Sequence, residues 1–341
     1  METKLKTRQS IQELQYEYDH DNPKPLEDLM RAWKGIKELP YTDPNSFFKL
    51  GGFHGEPFRG PGTKDSAYWG GYCNHGNVLF PTWHRVYMFK LEQALQSIAG
   101  CENVMLPYWD ETDAFTLSNG VPPALTRETF PLDGIEIQNP LRSYVLPVQI
   151  ADMVSGDANA YTKQLGYETV RYPLSGLVGT TTAQAATVAH NEKFPDYNTN
   201  VGDLNTNVIN WLNNSSIITE DPNTQNPQTN IPAGIYQSFK NCLNAPNYTV
   251  FSNTTSAQEW NKTITSPNDI VTALETPHND IHLAVGGFDA PTFDASAIAD
   301  ANGDMGENDT AALDPIFYFH HCNIDRVFWV GNGMRDIFPS A

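Results

Sequence analysis

The stretch that decides the fold is residues 75–92, HGNVLFPTWHRVYMFKLE. From position 83 to position 98 the apolar residues recur every three or four positions, which predicts a helix with one buried stripe. That stripe consists of Trp83, Tyr87, Leu91, Ala94, Leu95 and Ile98. His84 lies beside it, on the face that Met88 and Leu95 share. We therefore expect the His84 side chain to point into the protein.

A second histidine-rich stretch, HNDIH, begins at His278 near the other end of the chain. Its spacing places His278 and His282 on one helix face, about one turn apart. Thr276 and Pro277, directly ahead, are typical of an N-cap and a first helical position. An isolated pair at this spacing often arises by chance. A zinc protease would need a glutamate directly after the first histidine, and Asn279 in that position excludes this class.

A third stretch, DPIFYFHHCNIDR, begins at Asp314. Asp314 and Pro315 are again typical of a cap and the first turn of a helix. Within that helix Phe317, His321 and Asp325 follow one another at a spacing of four residues, so they share one face. One aromatic ring and one carboxylate are therefore expected beside one imidazole.

The chain has nine histidines, and six of them form two groups of three. The groups are His54, His75 and His84 near the front, and His278, His282 and His321 near the back. This partition predicts two metal ions, each held by three imidazoles, and such sites suit copper, zinc, iron or nickel. His20 and His190 lie in polar sequence and are expected to be surface residues. His320 is turned by about 100° around the helix from its neighbour, so we expect it outside the ligand set, at most as a supporting residue.

The first and third stretches resemble the two signature sequences of tyrosinases and related polyphenol oxidases, the type-3 copper proteins, in their short fungal-like form. Further matches are LPYWD from Leu106, VGG from Val285 and GDMG from Gly303. The resemblance extends from Arg8 to Trp329. It implies a mainly α fold in which an antiparallel four-helix bundle holds a binuclear copper site, with long loops and little β structure.

Carried over residue by residue, the resemblance assigns the ligands of two copper ions, with dioxygen as co-substrate. Copper site A would be formed by His54, His75 and His84, and copper site B by His278, His282 and His321. Cys73 resembles a cysteine that fungal members join to a histidine ring, here His75, by a thioether bond. The alternative is a free thiol close to copper. Phe317 and Asp325 are expected to support the ring of His321.

Two further positions bear on the reaction. Glu275 matches a glutamate that holds an ordered water in the family, and Asn279 matches a position linked to phenol deprotonation. Because carboxylate and amide oxygens both accept hydrogen bonds, together they can make that water a base for a phenolic proton. The alternative for Glu275 is a solvated charge at a helix end.

The resemblance implies oxidation of o-diphenols (catechols) to o-quinones with reduction of dioxygen to water, with hydroxylation of monophenols as a further hypothesis. An o-aminophenol oxidase would use the same ligands. A hemocyanin-like oxygen carrier would use the same centre but shields it with extra domains, which 341 residues do not provide. A two-zinc hydrolase would need a bridging carboxylate and a base that the motifs lack.

Composition limits the partners. Asp and Glu number 40 against 21 Lys and Arg, for a net charge of -19, which disfavours nucleic acid and anionic membranes. Small phenolic substrates are the expected partners, and the oligomeric state is not readable. No apolar stretch approaches the roughly 20 residues of a membrane span. The charged start lacks a signal peptide, yet six sequons favour secretion: Asn213, Asn214, Asn247, Asn253, Asn261 and Asn308.

The ligands come from both ends of the chain, which favours a single domain over residues 1–341. Its expected parts are a copper A part (41–111), an insertion (112–265) that walls the copper cleft, and a copper B part (266–330), with no C-terminal blocking domain. Helical spacing is expected at 8–40 and, within the insertion, at 204–212 and 234–243. Of the remaining cysteines, Cys101 and Cys242 are candidates for a disulfide, with Cys322 buried beside copper B.

Overall fold

A computed structural model describes residues 7–58, 72–150, 163–176, 179–213, 234–266, 269–287, 289–290, 293–294 and 297–333. These residues are mainly helical, as predicted. The helices are α1 (Ile11–Asp19), α2 (Lys24–Glu38), α3 (Phe47–Gly52), α4 (Phe80–Gln96), α5 (Ala114–Asn119), α6 (Pro123–Thr126), α7 (Thr181–Asn191), α8 (Tyr197–Asn213), α9 (Ile235–Cys242), α10 (Tyr248–Ser252), α11 (Thr254–Asn261), α12 (Glu275–Gly286) and α13 (Ile316–Gly333).

The strands in the described part form two short antiparallel hairpins, and three isolated β-bridges lie outside them. Strands β1 (Thr129–Leu132) and β2 (Ile135–Gln138) pair with Thr129 opposite Gln138. Strands β3 (Asp289–Ala290) and β4 (Phe293–Asp294) form the second pair. Two single turns of 3₁₀ helix, at Asp304–Gly306 and Ala311–Leu313, precede α13.

Four helices surround the site. Helix α4 packs against α2 and α13, and α13 also packs against α12, which gives the predicted helical bundle. The buried face of α4 carries Tyr87, Leu91, Ala94 and Leu95 of the expected stripe, with His84 and Met88 beside them, whereas Val86 on the outer face is 59% exposed. The helix begins at Phe80, three residues before the predicted stripe, because Pro81 in the first turn needs no intrahelical hydrogen bond.

The bundle core is aromatic. The Trp33 ring of α2 stacks on Phe319 of α13 at 5.7 Å and 19°, and it meets the Phe47 ring of α3 at 5.4 Å. All three side chains are buried. Replacing one such ring by alanine typically costs about 3–5 kcal/mol of stability, so this cluster anchors the three helices to each other.

The predicted helical region 8–40 is two helices, not one. Helix α1 begins with a capping box between Ser10 and Glu13, which satisfies backbone donors at its start. It ends before Asp21, whose φ of 69° is left-handed, and Pro23 then precedes α2. A left-handed residue followed by proline cannot continue a helix.

The insertion supports the bundle. Helix α8 includes the predicted piece 204–212 and begins seven residues earlier, and α9 covers most of 234–243. Both pack against α12, and the Asn207 side chain donates to the Ala284 carbonyl oxygen at 2.8 Å. These contacts place the insertion behind the helix that carries His278 and His282.

Two expectations about individual side chains were wrong. His190 is buried, 3% exposed, with Nε2 2.7 Å from the Pro173 carbonyl oxygen, because α7 packs that face inward; His20 is exposed as expected. The thiols of Cys101 and Cys242 are not joined: they contact the carbonyl oxygens of Asp28 and Phe239, respectively. Cys322 is buried, as predicted.

No helix in the described part of the chain is both long enough and apolar enough to cross a membrane.

Candidate metal centre

Three imidazoles meet at the predicted copper site B. His278 and His282 lie one turn apart on α12, and His321 lies on α13. The Nε2 atom of His321 is 3.2 Å from Nε2 of His278 and 3.4 Å from Nε2 of His282. Three ring nitrogens at these separations surround a point that one metal ion can occupy, since metal–imidazole bonds are about 2.0–2.1 Å long.

Two of these rings are oriented by hydrogen-bond acceptors at Nδ1, the ring nitrogen that faces away from the other two imidazoles. The His278 Nδ1 lies 2.8 Å from Oδ1 of Asn279, and the His282 Nδ1 lies 2.8 Å from the Met305 carbonyl oxygen. An acceptor at Nδ1 holds the proton there and leaves the Nε2 lone pair free for a metal. The hydrogen-bond partners therefore indicate the tautomer that a ligand requires.

The predicted copper site A draws its histidines from three separate segments. His54 follows α3, His75 lies in the loop before α4, and His84 lies in α4. Their ring centroids are 5.1–5.7 Å apart. The Nδ1 atoms of His54 and His84 face the carbonyl oxygens of Asn308 (3.2 Å) and Phe80 (2.8 Å).

The Nε2 atoms of His54 and His84 are buried and have no hydrogen-bond partner among the described residues. A buried polar atom without a partner is costly, and a metal ion would satisfy both atoms at once. His54 reaches this place because Gly55 lets the chain pass close to Asp309: a Cβ at Gly55 would lie 2.3 Å from the Asp309 carbonyl oxygen.

The two sites adjoin. The His84 and His321 rings stack with centroids 4.5 Å apart at 22°, and the His75 and His278 rings lie 5.5 Å apart at 28°. Six imidazoles from opposite ends of the chain therefore form one continuous cluster, and the donor set fits a pair of copper ions better than hard cations.

All six imidazoles are held neutral. Burial, reinforced by neighbouring imidazoles, lowers the pKa of His75 and of His282 to about 3 and holds the pKa of the other four well below 6.5. The charged form is disfavoured because it loses hydration and would repel its neighbours. Neutral rings keep the lone pairs that copper requires.

His320 lies directly behind site B. Its Nδ1 is 2.6 Å from Oε1 of the buried Glu111, and Oε2 of Glu111 accepts from the Asn323 side chain at 3.0 Å. The His320 ring packs parallel to that of His278, at 5.2 Å and 23°. One His320 ring nitrogen lies within 4.8 Å of ring nitrogens on His278, His282 and His321. Its Nδ1 is held by Glu111, and the outer position of His320 stays a prediction.

Phe317 and Asp325 have different surroundings. The Phe317 ring stacks on His321 at 4.0 Å and meets the edge of His54 at 4.7 Å, so it contacts both sites. The Asp325 carboxylate instead pairs with Arg85 of α4 and with Arg8. The expectation that Asp325 lies against His321 was therefore wrong: its two oxygens are drawn to the guanidinium groups, and it ties α13 to α4.

Glu275 is buried, 1% exposed, so it is not the solvated helix-end charge that was the alternative. The predicted cap was also misplaced: α12 begins at Glu275 with Leu274 as N-cap, so Pro277 is the third residue, where the missing N–H is still tolerated. Asn279 is exposed, and His75 and His282 are partly exposed. The cluster is therefore open to solvent on that side.

Cys73 lies beside site A. One ligand atom each of His54, Cys73 and His75 lie within 4.8 Å of one another. Burial raises the pKa of the Cys73 thiol to about 12, so its sulfur is a thiol and not a thiolate at neutral pH. The thioether bond to His75 stays a prediction.

Sequence reasoning missed the groups that orient the rings. Glu111, the residue after the LPYWD match, lies in the polar run from Asp110 to Asp113, so nothing in the sequence indicated that its carboxylate is buried behind His320. The carbonyl oxygens of Asn308, Met305 and Phe80 gave no signal, since every residue has one.

Comparison with known proteins agrees with this site. Residues 44–330 match the family described as the common central domain of tyrosinase. A tyrosinase of Hahella sp. (strain CCB-MM4) is 58% identical over 336 residues, covering 96% of this chain and 60% of that protein. A tyrosinase of Aspergillus oryzae is 43% identical, covering 98% of this chain and 61% of that protein.

A solved structure of a tyrosinase from Burkholderia thailandensis, at low pH, superposes with a TM-score of 0.83 at 53% identity, covering 97% of this chain and 62% of that one. The chain belongs to the tyrosinase family, whose binuclear copper centre fits the six imidazoles described above. It spans about three fifths of the length of these relatives.

Proposed function

We propose that this chain is a copper-dependent polyphenol oxidase that converts o-diphenols to o-quinones and reduces dioxygen to water. The observation that carries the proposal is the convergence of ring nitrogens: Nε2 of His321 lies 3.2 and 3.4 Å from those of His278 and His282. The similarity to proteins named tyrosinase supports it. Two catechols supply the four electrons and four protons that turn one dioxygen into two waters.

In this proposal site A (His54, His75 and His84) and site B (His278, His282 and His321) each hold one copper ion. Two adjacent copper ions would each supply one-electron redox chemistry. Protein side chains alone do not provide this chemistry. The chain contributes neutral imidazoles, and the acceptors behind them fix the direction of each lone pair. The buried Phe317 ring contacts both His54 and His321.

Small phenols would approach from the side of His75, Asn279 and His282, where the cluster is exposed. Hydroxylation of monophenols is the finer part of the proposal. Asn279 supports it, because its side chain lies on the open side while its Oδ1 contacts Nδ1 of His278. A water held by Glu275 and Asn279 stays a prediction, and three protein donors already surround the Glu275 carboxylate.

The test is oxygen uptake by the copper-reconstituted chain with catechol, phenol and o-aminophenol in parallel. Turnover of catechol with two coppers bound per chain is expected. Reversible oxygen binding without turnover would identify a carrier, and faster turnover of o-aminophenol than of catechol would identify the aminophenol oxidase. If catechol is oxidised but phenol gives no product after a long lag, the monophenol part is wrong.

Secretion also stays a proposal, and its support is narrower than six sequons suggest. The side chains of Asn247 and Asn253 cap α10 and α11, and Asn253 is fully buried. Glycan attachment at Asn253 would require that cap to open.

A further inference from the structure

The loop that carries His75 is attached to the helix of the other copper site. Oε1 of Glu275, the first residue of α12, accepts a hydrogen bond from the Gly76 backbone N–H at 2.7 Å. Its Oε2 accepts from the backbone N–H and the hydroxyl of Thr254, at 2.8 and 3.0 Å. One buried carboxylate therefore joins the His75 loop, the start of α11 and α12.

This contact acts on His75 through one peptide unit. The N–H of Gly76 belongs to the peptide that follows His75, and the carbonyl oxygen of the same peptide accepts from Asn77 Nδ2 at 3.0 Å. Because a peptide unit is planar, holding its N–H and its C=O fixes its orientation, and with it the backbone of His75. Gly76 itself has a φ of 64°, a left-handed conformation that glycine adopts without strain.

His75 differs from the other two site A ligands in having no such support at its ring. His54 and His84 each direct Nδ1 to a carbonyl oxygen, whereas no ring hydrogen bond of His75 is found in the part of the chain that is described. The predicted thioether would tether this ring to Cys73, which lies on the same loop. It would not set the distance from that loop to α12.

Resting on the proposed copper assignment, we propose that Glu275 is a positioning residue that fixes His75 of site A from the helix of site B. The carboxylate sets the spacing between the two sites. Its role is distinct from that of a base, since all three contacts are to protein donors and not to a reacting group.

Glu275→Gln tests this. The amide nitrogen cannot accept a hydrogen bond, so at least one backbone donor loses its partner. Copper affinity at site A should fall about 10- to 100-fold, as is typical when a group behind a ligand is lost. At limiting free copper the variant should hold one copper per chain where the unaltered chain holds two. That single Cu(II) should be visible by EPR as an isolated spin.

Glu92→Gln is the matched control. Glu92 is buried and accepts from the Leu106 backbone N–H and from Arg8, away from the histidines. The Glu92→Gln variant should be less stable than the unaltered chain but should still bind two copper ions. Excess copper should restore catechol and phenol oxidation of Glu275→Gln together. Selective loss of phenol hydroxylation in the fully loaded variant would overturn the positioning role, as would unchanged affinity or equal loss at both sites.

If Glu275→Gln does not fold, Thr254→Val decides, because it removes only the hydroxyl donor and keeps the charge. A selective, severalfold weakening of site A supports the proposal, and unchanged binding or a weakening confined to site B overturns it. If the unaltered chain binds no copper, the proposed function fails instead. The mass of the Cys73–His75 peptide is measured in every sample, and only samples in which this mass is the same are compared. A difference in the thioether bond then cannot imitate a change in copper affinity.

Discussion

Sites A and B hold equal numbers of imidazoles but are assembled differently. Site B is built by two helices, and the i, i+4 spacing of α12 alone brings His278 and His282 together. Site A joins a residue after α3, a loop residue and a helical residue. Helical periodicity therefore fixes most of the geometry of site B, whereas site A depends on contacts between distant segments.

Removal of His321 should have the largest effect, because it should abolish copper binding at site B and leave site A. His321→Ala takes away the ring whose Nε2 approaches both other nitrogens of site B. We expect one copper per chain instead of two and background oxygen uptake with catechol. His320→Gln is the matched control, because it keeps a donor for Glu111 and should retain two coppers. The reverse pattern would show that the ligand assignment of the pair is wrong.

Phe317→Ala should weaken both sites together. This buried ring contacts His321 at 4.0 Å and His54 at 4.7 Å. Denaturant unfolding of the metal-free protein should show a loss of about 3–5 kcal/mol, and copper titration should show weaker binding at both sites. Phe130→Ala, in β1, removes a ring of equal burial and should cost similar stability without a change in copper affinity. Copper binding that is unchanged in Phe317→Ala would argue against its bridging role.

Acid should destabilise the metal-free protein. Above pH 6.5 the histidines are neutral in both states, but between 6.5 and about 3 the unfolded chain binds protons that His75, His282 and His320 resist when folded. Stability therefore falls as pH falls through this range. Burial raises the pKa values of the carboxyls Glu111 and Glu275, so their contribution to stability increases as pH falls. The buried histidines are more numerous, and their opposite effect on stability should dominate.

The melting temperature of the metal-free protein, measured from pH 6.5 downwards, checks this. A melting temperature that stays constant or rises across the range would contradict it. Copper binding should weaken over the same interval, because protons and copper compete for the same lone pairs.

Asp325→Asn should have the smallest effect. The carboxylate pairs with Arg8 and Arg85 and is 15% exposed, so its loss should cost about 1–2 kcal/mol, less than breaking a fully buried pair. Copper content should not change, since Asp325 holds helices together and does not touch a ligand ring. Loss of copper with an unchanged free energy of unfolding would instead support the original expectation, that Asp325 supports the His321 ring.

The helices were predictable from the sequence. The burial and the contacts of individual side chains were less predictable. The stripe of α4 and the piece 204–212 of α8 were found because helical periodicity is local. The burial of His190 was missed because it depends on how α7 packs. The direction of Asp325 was missed because two arginines from distant positions compete for it.

The sequence alone predicted which six histidines form the two sets, and it determined which of them share helix faces, because side-chain chemistry and spacing are properties of the chain. Only the tertiary structure decided which backbone carbonyls orient those rings, that Glu275 is buried between three segments, and that Phe317 lies between the two sites. These contacts join residues up to hundreds of positions apart, and no local pattern encodes which carbonyl or carboxylate will lie behind a given ring.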